Sequence, residues 1–378
     1  MEKNLILISL DTVRADVAYN RKFKTIEQLR KEGITFLNTV SSSPLTPVSH
    51  ATVLTGLQPY HHGIRHLFKE KLNKKIKTLA QILKKEGYRT GAIVSCPGMN
   101  RWYGFSRGFD YYDDEIPKLA DGSDPLKTID VKKRGTALKK ADLVFEKADK
   151  WLGKNKNKKF FLLIHFFDAH WPYKIPKRLD GNNKYEKAIA YSDYYLGLFL
   201  NKLKELGLFN NSTIVCFSDH GEDLEGIYKN DKGGKKLGHP EECGHGCLLY
   251  EQTQKVVLII KDKTLPTNKN IKQQVRLVDV MPTILDILKI PYDGKNFDGI
   301  SLVPIIKGKE YFNLLGYSET FYPEEQALAM GGKFAYAKNK LSFRINNKYK
   351  IIFHLEDNQI EFYNLEDDPN ELKNLYEP

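Results

Sequence analysis

Two short apolar runs, far apart in the chain, each end on an acid. Asn4-Leu-Ile-Leu-Ile-Ser-Leu10 leads into Asp11-Thr12-Val13-Arg14-Ala15-Asp16, and Thr213-Ile-Val-Cys-Phe-Ser218 leads into Asp219-His220-Gly221-Glu222. Continuous apolar, β-branched runs of this length read as strands buried on both faces of a parallel sheet. Parallel strands need crossover helices, which makes the chain α/β. In open α/β sheets ligands bind beyond the carboxyl ends of the strands. Two strands delivering Asp11 and the Asp219-His220 pair to that edge predict a divalent-metal site.

The rest of the chain alternates accordingly. Helices are expected over 25–32, 76–86 (with Leu79, Ile82 and Leu83 on one face and Gly87 as the stop), 138–152, 185–206 and 282–288. Strands are expected over 33–40, 90–95, 159–167 and 256–260. From about Phe312 the pattern changes to short alternating segments at 335–337, 341–345, 349–354 and 360–364, with Asn346-Asn347 and Asp357-Asn358 as turns. The expected organisation is a catalytic α/β domain, 1–311, with a small antiparallel β subdomain, 312–378, packed on it.

The 378 residues carry a net charge of +12, from 59 Lys+Arg against 47 Asp+Glu. Those lysines are dispersed and accompany no nucleic-acid-binding motif, so the charge reads as solvated helix faces and not as a nucleic-acid surface. A small anionic substrate is the partner a basic surface of this kind favours. The four cysteines, Cys96, Cys216, Cys243 and Cys247, do not make a disulfide framework for a chain this long. Met1-Glu2-Lys3 runs directly into the first core strand, so no signal peptide is expected. No apolar run approaches the ~18 residues of a membrane span, and a soluble cytoplasmic protein is the expectation.

A third segment carries chemistry: Ser43-Pro44-Leu45-Thr46-Pro47-Val48-Ser49-His50-Ala51-Thr52-Val53-Leu54-Thr55-Gly56. The two prolines set the backbone ahead of a helix expected over 49–55. Thr46 then stands just before a helix N-terminus, whose free N–H groups attract anions. A hydroxyl held there beside a metal loses its proton near neutral pH and attacks a tetrahedral centre. The plainer alternative is that Thr46 or Ser49 only caps the helix.

In this order, Leu10 to Asp16, Thr46 to Gly56 and Ser218 to Glu222 resemble the sulfatase-like members of the alkaline phosphatase superfamily. Asp168-Ala-His-Trp-Pro-Tyr173, Gly244-His-Gly-Cys-Leu-Leu-Tyr-Glu251, Val278-Asp-Val-Met-Pro-Thr283, Asp298-Gly299 with Leu302, and Phe362 to Pro369 with Asn374-Leu375 extend the likeness over nearly the whole chain. The resemblance implies an alkaline-phosphatase-like, mostly parallel mixed sheet sandwiched by helices. It also implies a metal site of Asp11, Thr46, Asp219 and His220, holding one divalent ion (Mn, Zn, Mg or Ca). Thr46 matches the nucleophile, attacking phosphorus or sulfur and carrying the ester intermediate. His170 matches the residue that holds the anion or protonates the leaving oxygen, with His245 and Arg14 as further substrate contacts.

Several positions depart from the family pattern. Typical sulfatases have Cys or Ser where this chain has Thr46, which cannot become formylglycine. Val48 stands in place of the family's Pro. His50 replaces the usual Arg and is left to assist the nucleophile, without Arg's fork around an anion. Thr12 replaces a second Asp and is at most a weak ligand. The expected activity is therefore hydrolysis of phosphate-type esters (phosphomonoester, phosphodiester or phosphonate) through Thr46. Sulfuric ester hydrolysis, phospho-group transfer to an alcohol, and non-catalytic anion binding are the alternatives. Arg14 with Asp16 reads equally as an ion pair beneath the site. His61 and His62 read as a turn ending in Gly63, and Asp168 as a helix cap or orienting group in preference to a second metal ligand. His239, Cys243, His245 and Cys247 lack the spacing of a zinc site.

Overall fold

The computed structural model describes residues 3–377 apart from 22, 120, 125–137, 177–178, 225–243, 310–313 and 330–337. The chain divides into two compact units that interleave along the sequence: Met1–Thr35 with Lys74–Ser218 and Leu258–Asn270, and Phe36–Asn73 with Asp219–Val257 and Ile271–Pro378. The C-terminal sheet thus shares its unit with two earlier segments of chain.

The first unit is built on an eight-stranded sheet. Its strands are β1 (Asn4–Leu10), β2 (Ile34–Phe36), β3 (Arg89–Ile93), β4 (Tyr111–Asp113), β5 (Phe160–Phe166), β6 (Ser212–Phe217), β7 (Leu258–Lys261) and β8 (Lys269–Ile271), in the order β8-β2-β7-β6-β1-β5-β3-β4. β1 lies between β5 and β6, parallel to both, with Ser9 opposite His165 on one side and Phe217 on the other. Parallel pairing continues through β3 and β4, whereas β7 runs antiparallel to β6 and β2. All of β1, β5 and β6 is buried, as their unbroken apolar runs predict. The Ala141–Asn155 helix packs on β3 and β5 and against the Lys184–Glu205 helix, which also packs against Lys24–Glu32.

Buried Asp193 on the long helix explains that last contact. Its carboxylate accepts the backbone N–H groups of Thr25 and Ile26, satisfying donors at the start of the Lys24–Glu32 helix. The approach is close enough that a Cβ on Gly197 would lie 2.7 Å from Thr25 Oγ1. The helix expected over 76–86 is shorter, Leu79–Lys85, because Thr78 and Gln81 form a capping box that starts it.

In the second unit the Thr46–Thr55 helix packs against Val280–Ile287. It begins earlier than expected because Pro47 fits its first turn, and it ends at Gly56 with φ 68°. A three-stranded sheet joins Thr39–Val40 to Lys255–Val256 and Val275–Arg276. The strands expected over 33–40 and 256–260 are therefore each two pieces in different sheets. At the first break Asn38 leaves the ladder and its side chain donates to Lys272 O.

The C-terminal sheet is antiparallel, in the order Leu315–Thr320, Lys340–Ile345, Tyr349–His354, Ile360–Asn364. Its first strand escaped the sequence reading because the positions it buries include Gly316, Ser318 and Thr320, which carry no apolar signal. The segment 335–337 lies outside the described residues. Ile352, Tyr363 and Leu365 form a core with Cys247, Leu248 and Tyr250. Beside it, Glu251 pairs with Arg344 and Lys350, and Lys350 with Glu371.

Candidate metal and nucleophile site

In the first unit, Asp11 extends β1 by one residue through its N–H to Phe166 O, and it is fully buried. The chain then turns sharply. Thr12 adopts φ 59° and donates its hydroxyl to Asp11 O at 2.7 Å, while Tyr185 donates to Thr12 O and accepts from Arg14 N. Thr12 Oγ1 is thus tied to the backbone. Arg14 is buried and forks onto Asp16, Nε to Oδ1 at 3.0 Å and Nη2 to Oδ2 at 2.8 Å, which is the ion pair the spacing allowed. His165, which the sequence reading passed over, has Nε2 3.1 Å from Asp11 Oδ2.

Further along the same unit, His170 stacks on Phe167 with centroids 4.2 Å apart. Its Nδ1 lies 2.6 Å from Trp171 O; a carbonyl only accepts, so Nδ1 carries the proton and the neutral ring holds its lone pair at Nε2. Asp168 accepts from Ser192 Oγ and from Ala141 N at the start of a helix. It therefore acts as the capping group the sequence favoured. Burial raises its pKa to about 6.

In the second unit, no side chain caps the Thr46–Thr55 helix, so the capping alternative for Thr46 and Ser49 does not hold. Ser49 Oγ and Ser41 Oγ both donate to the backbone carbonyl of Asp219, at 2.8 and 2.5 Å, and anchor the segment that follows β6. Thr46 Oγ1 lies 3.4 Å from His220 Nε2, which is itself 3.4 Å from Asp219 Oδ2. His220 Nδ1 donates to Gly221 O at 3.0 Å, so the neutral ring turns its Nε2 lone pair toward the threonine hydroxyl and the carboxylate. A hydroxyl, a carboxylate and an imidazole whose far nitrogen is held by a carbonyl are the donor set of a divalent-metal site. These residues fit such an ion.

His50 is oriented differently from the expectation that it assists the nucleophile. Its Nδ1 donates to the Thr46 carbonyl at 2.8 Å and stands 3.5 Å from Asp219 Oδ2, which makes it a brace for both. Burial holds His50 and His220 below the ordinary imidazole pKa, against the pull of Asp219. His245 lies tilted at 40° against His220, centroids 4.3 Å apart, and its Nδ1 is 3.2 Å from Glu222 Oε1. Burial lowers His245 to about 4. Fully buried Glu222 is the second residue the sequence reading missed; its place two residues beyond His220 was the available signal. Of the zinc alternative, His239 and Cys243 lie outside the described residues, and Cys247 belongs to the apolar C-terminal core. His61 and His62 form the turn ending at Gly63, φ 82°.

A family model described as Sulfatase matches residues 3–290, and one described as the N-sulphoglucosamine sulphohydrolase C-terminal region matches 245–378. Arylsulfatase D of Homo sapiens is 23% identical over 75% of this chain, which spans 64% of that protein's length. A sulfatase of Formosa agariphila is 23% identical over 98% of this chain and 82% of its own. A protein solved with its substrate D-glucosamine-2-N,6-O-disulfate superposes with a TM-score of 0.74 at 18% identity, over 99% of this chain and 93% of that one. Phosphonate monoester hydrolase of Agrobacterium radiobacter gives 0.71 at 18% identity, over 99% and 91%. At such identities the solved structures speak for the fold alone. The first family model, in contrast, runs through the strand ending at Asp11, the helix starting at Thr46 and the Asp219-His220 pair, and on that ground the chain belongs to the sulfatase family.

Proposed function

We propose that this hydrolase is a metal-dependent sulfuric ester hydrolase with Thr46 as its nucleophile. The observation that carries the reading is the approach of Thr46 Oγ1 to His220 Nε2 beside Asp219 Oδ2. Substrate class follows the relatives, which are mostly named sulfatases. That weight moves the reading away from the phosphate-type ester expected from Thr46.

Asp11 joins the donors in this reading. What supports it is the parallel register of β1 and β6: Ser9 faces Phe217, and each strand's chain continues two residues further to its aspartate. A divalent cation held by Asp11, Thr46, Asp219 and His220 would supply Lewis acidity, lowering the hydroxyl's pKa and offsetting charge on the ester oxygens. Thr46 Oγ1 forms the new bond to sulfur as the leaving oxygen departs. The Thr46 hydroxyl proton leaves to solvent. His170, stacked on Phe167, takes up a solvent proton on its Nε2 lone pair and passes it to the departing oxygen, and His245 and Arg14 contact the anion. Water then attacks sulfur and frees Thr46. His220 keeps Nε2 available because Gly221 O holds its other nitrogen.

A second reading keeps the same residues with a phosphate-type ester. It is favoured by Thr46 itself and by the phosphonate monoester hydrolases of Agrobacterium radiobacter and Silicibacter pomeroyi, at TM-scores of 0.71 and 0.70. Purified protein loaded in turn with Mn²⁺, Mg²⁺, Ca²⁺ or Zn²⁺ would be assayed on 4-nitrophenyl sulfate, phosphate and phenylphosphonate. A higher kcat/KM on sulfate is expected, and a tenfold preference for either phosphorus ester would overturn the first reading. Added alcohol that diverts product to an ester would identify a transferase.

A further inference from the structure

Asp11, Cys96 and His165 present ligand atoms all within 4.8 Å of one another and all buried, which invites a second cation among them. The hydrogen bonds of the ring decide otherwise. Ser95 N donates to His165 Nδ1 at 3.3 Å, and a backbone amide has only a proton to give. Nδ1 therefore holds the lone pair, and the proton of the neutral ring sits on Nε2. That nitrogen is 3.1 Å from Asp11 Oδ2, with no lone pair to offer a metal.

We infer that His165 is a positioning residue that aims the Asp11 carboxylate by donating Nε2–H to Oδ2, and that the chain needs it for full metal affinity. This rests on the reading above in which Asp11 is a metal ligand. The ring is well placed for the task. It lies on β5, opposite Ser9 of β1, and is itself fully buried. The Ser95 hydroxyl donates to the His165 carbonyl, so the segment after β3 holds both the backbone and the ring of this residue. Asp11 directly continues β1, just before the left-handed turn at Thr12, and its backbone position by itself does not fix the carboxylate's rotation about Cβ. The ring's hydrogen bond to Oδ2 constrains that rotation. Partners of this kind, which hold a ligand without touching the ion, typically change metal affinity by about 10–100-fold when removed.

The test is Mn²⁺ binding to the full chain, followed by calorimetry or by competition with a chelating dye, in four proteins. They are wild type, Asp11→Asn, His165→Phe, which keeps a ring and removes the donor, and His165→Gln, whose amide nitrogen can reach the same oxygen. Circular dichroism and thermal unfolding without metal show that each is folded. The expected result is an affinity about 10–100-fold weaker in His165→Phe, largely restored in His165→Gln, and lost in Asp11→Asn. Wild-type affinity in folded His165→Phe, with loss in Asp11→Asn, overturns the inference and leaves the reading of Asp11 intact. Wild-type affinity in Asp11→Asn overturns that reading itself. If His165→Phe does not fold, His165→Gln decides: wild-type affinity supports the donor role, and weakening to the level of Asp11→Asn refutes it.

Discussion

His62 sets a limit on the acid stability of this protein. It is fully buried at the end of the Pro59–His62 helix. Ile64 N donates to Nδ1 at 3.1 Å, so Nε2 carries the proton and gives it to Thr52 Oγ1, also at 3.1 Å, whose own hydroxyl goes to Val48 O. A second proton on Nδ1 would face the Ile64 N–H. Burial accordingly lowers the pKa from 6.5 to about 3. Because the folded value is depressed, the stabilisation is complete above the unfolded value of 6.5 and is lost as pH falls toward 3. Each pH unit in that window removes ~1.4 kcal/mol, or about 3 kcal/mol by pH 4. The perturbation is His62→Gln, which keeps a donor for Thr52 and removes the titration. Leaving Ile64 N–H without its acceptor costs a constant amount that drops out of the pH slope. Urea unfolding of both proteins between pH 7 and 4 measures it. Wild type should lose about 3 kcal/mol more than the variant over that range. Parallel pH dependences in the two proteins would show that His62 does not carry the effect.

Thr46→Ala should lower kcat by roughly 10³-fold or more while Thr46→Ser keeps measurable turnover, because only the latter retains a nucleophilic oxygen; ester assays with matched metal loading decide. Chelation should abolish activity and divalent metal restore it, and Asp219→Asn should weaken metal affinity by at least about tenfold in direct titrations. Buried Lys139 donates to Oδ1 of Asp113, whose Oδ2 pairs with Lys147, and to the carbonyls of Val94 and Asp113. Lys139→Met should cost roughly 3 kcal/mol of unfolding free energy with kcat/KM little changed, since the carboxylate and two carbonyls lose a charged donor.

The central strands were legible because burial on both faces demands unbroken apolar runs, and β1, β5 and β6 have them. Their ends on Asp11 and Asp219, and Thr46 in its proline-flanked segment, were legible because chain order alone locates them. The first strand of the C-terminal sheet was not, since its buried positions include glycine, serine and threonine. Nor was the division of 33–40 between two sheets, because pairing partners, and not local preference, break a strand that short. Tertiary structure alone settled the hydrogen-bond directions: Nδ1 as acceptor in His165 and His62, and as donor in His220 and His50. Which ring nitrogen holds a proton depends on the carbonyl or amide it meets. For His220, His62 and His50 that group is a near neighbour in sequence, and the ring's rotamer, set by packing, decides which nitrogen reaches it. For His165 the Ser95 amide comes from 70 residues away. An aspartate's identity is written in the sequence, but the direction its oxygens point is decided by the neighbours that folding brings to it.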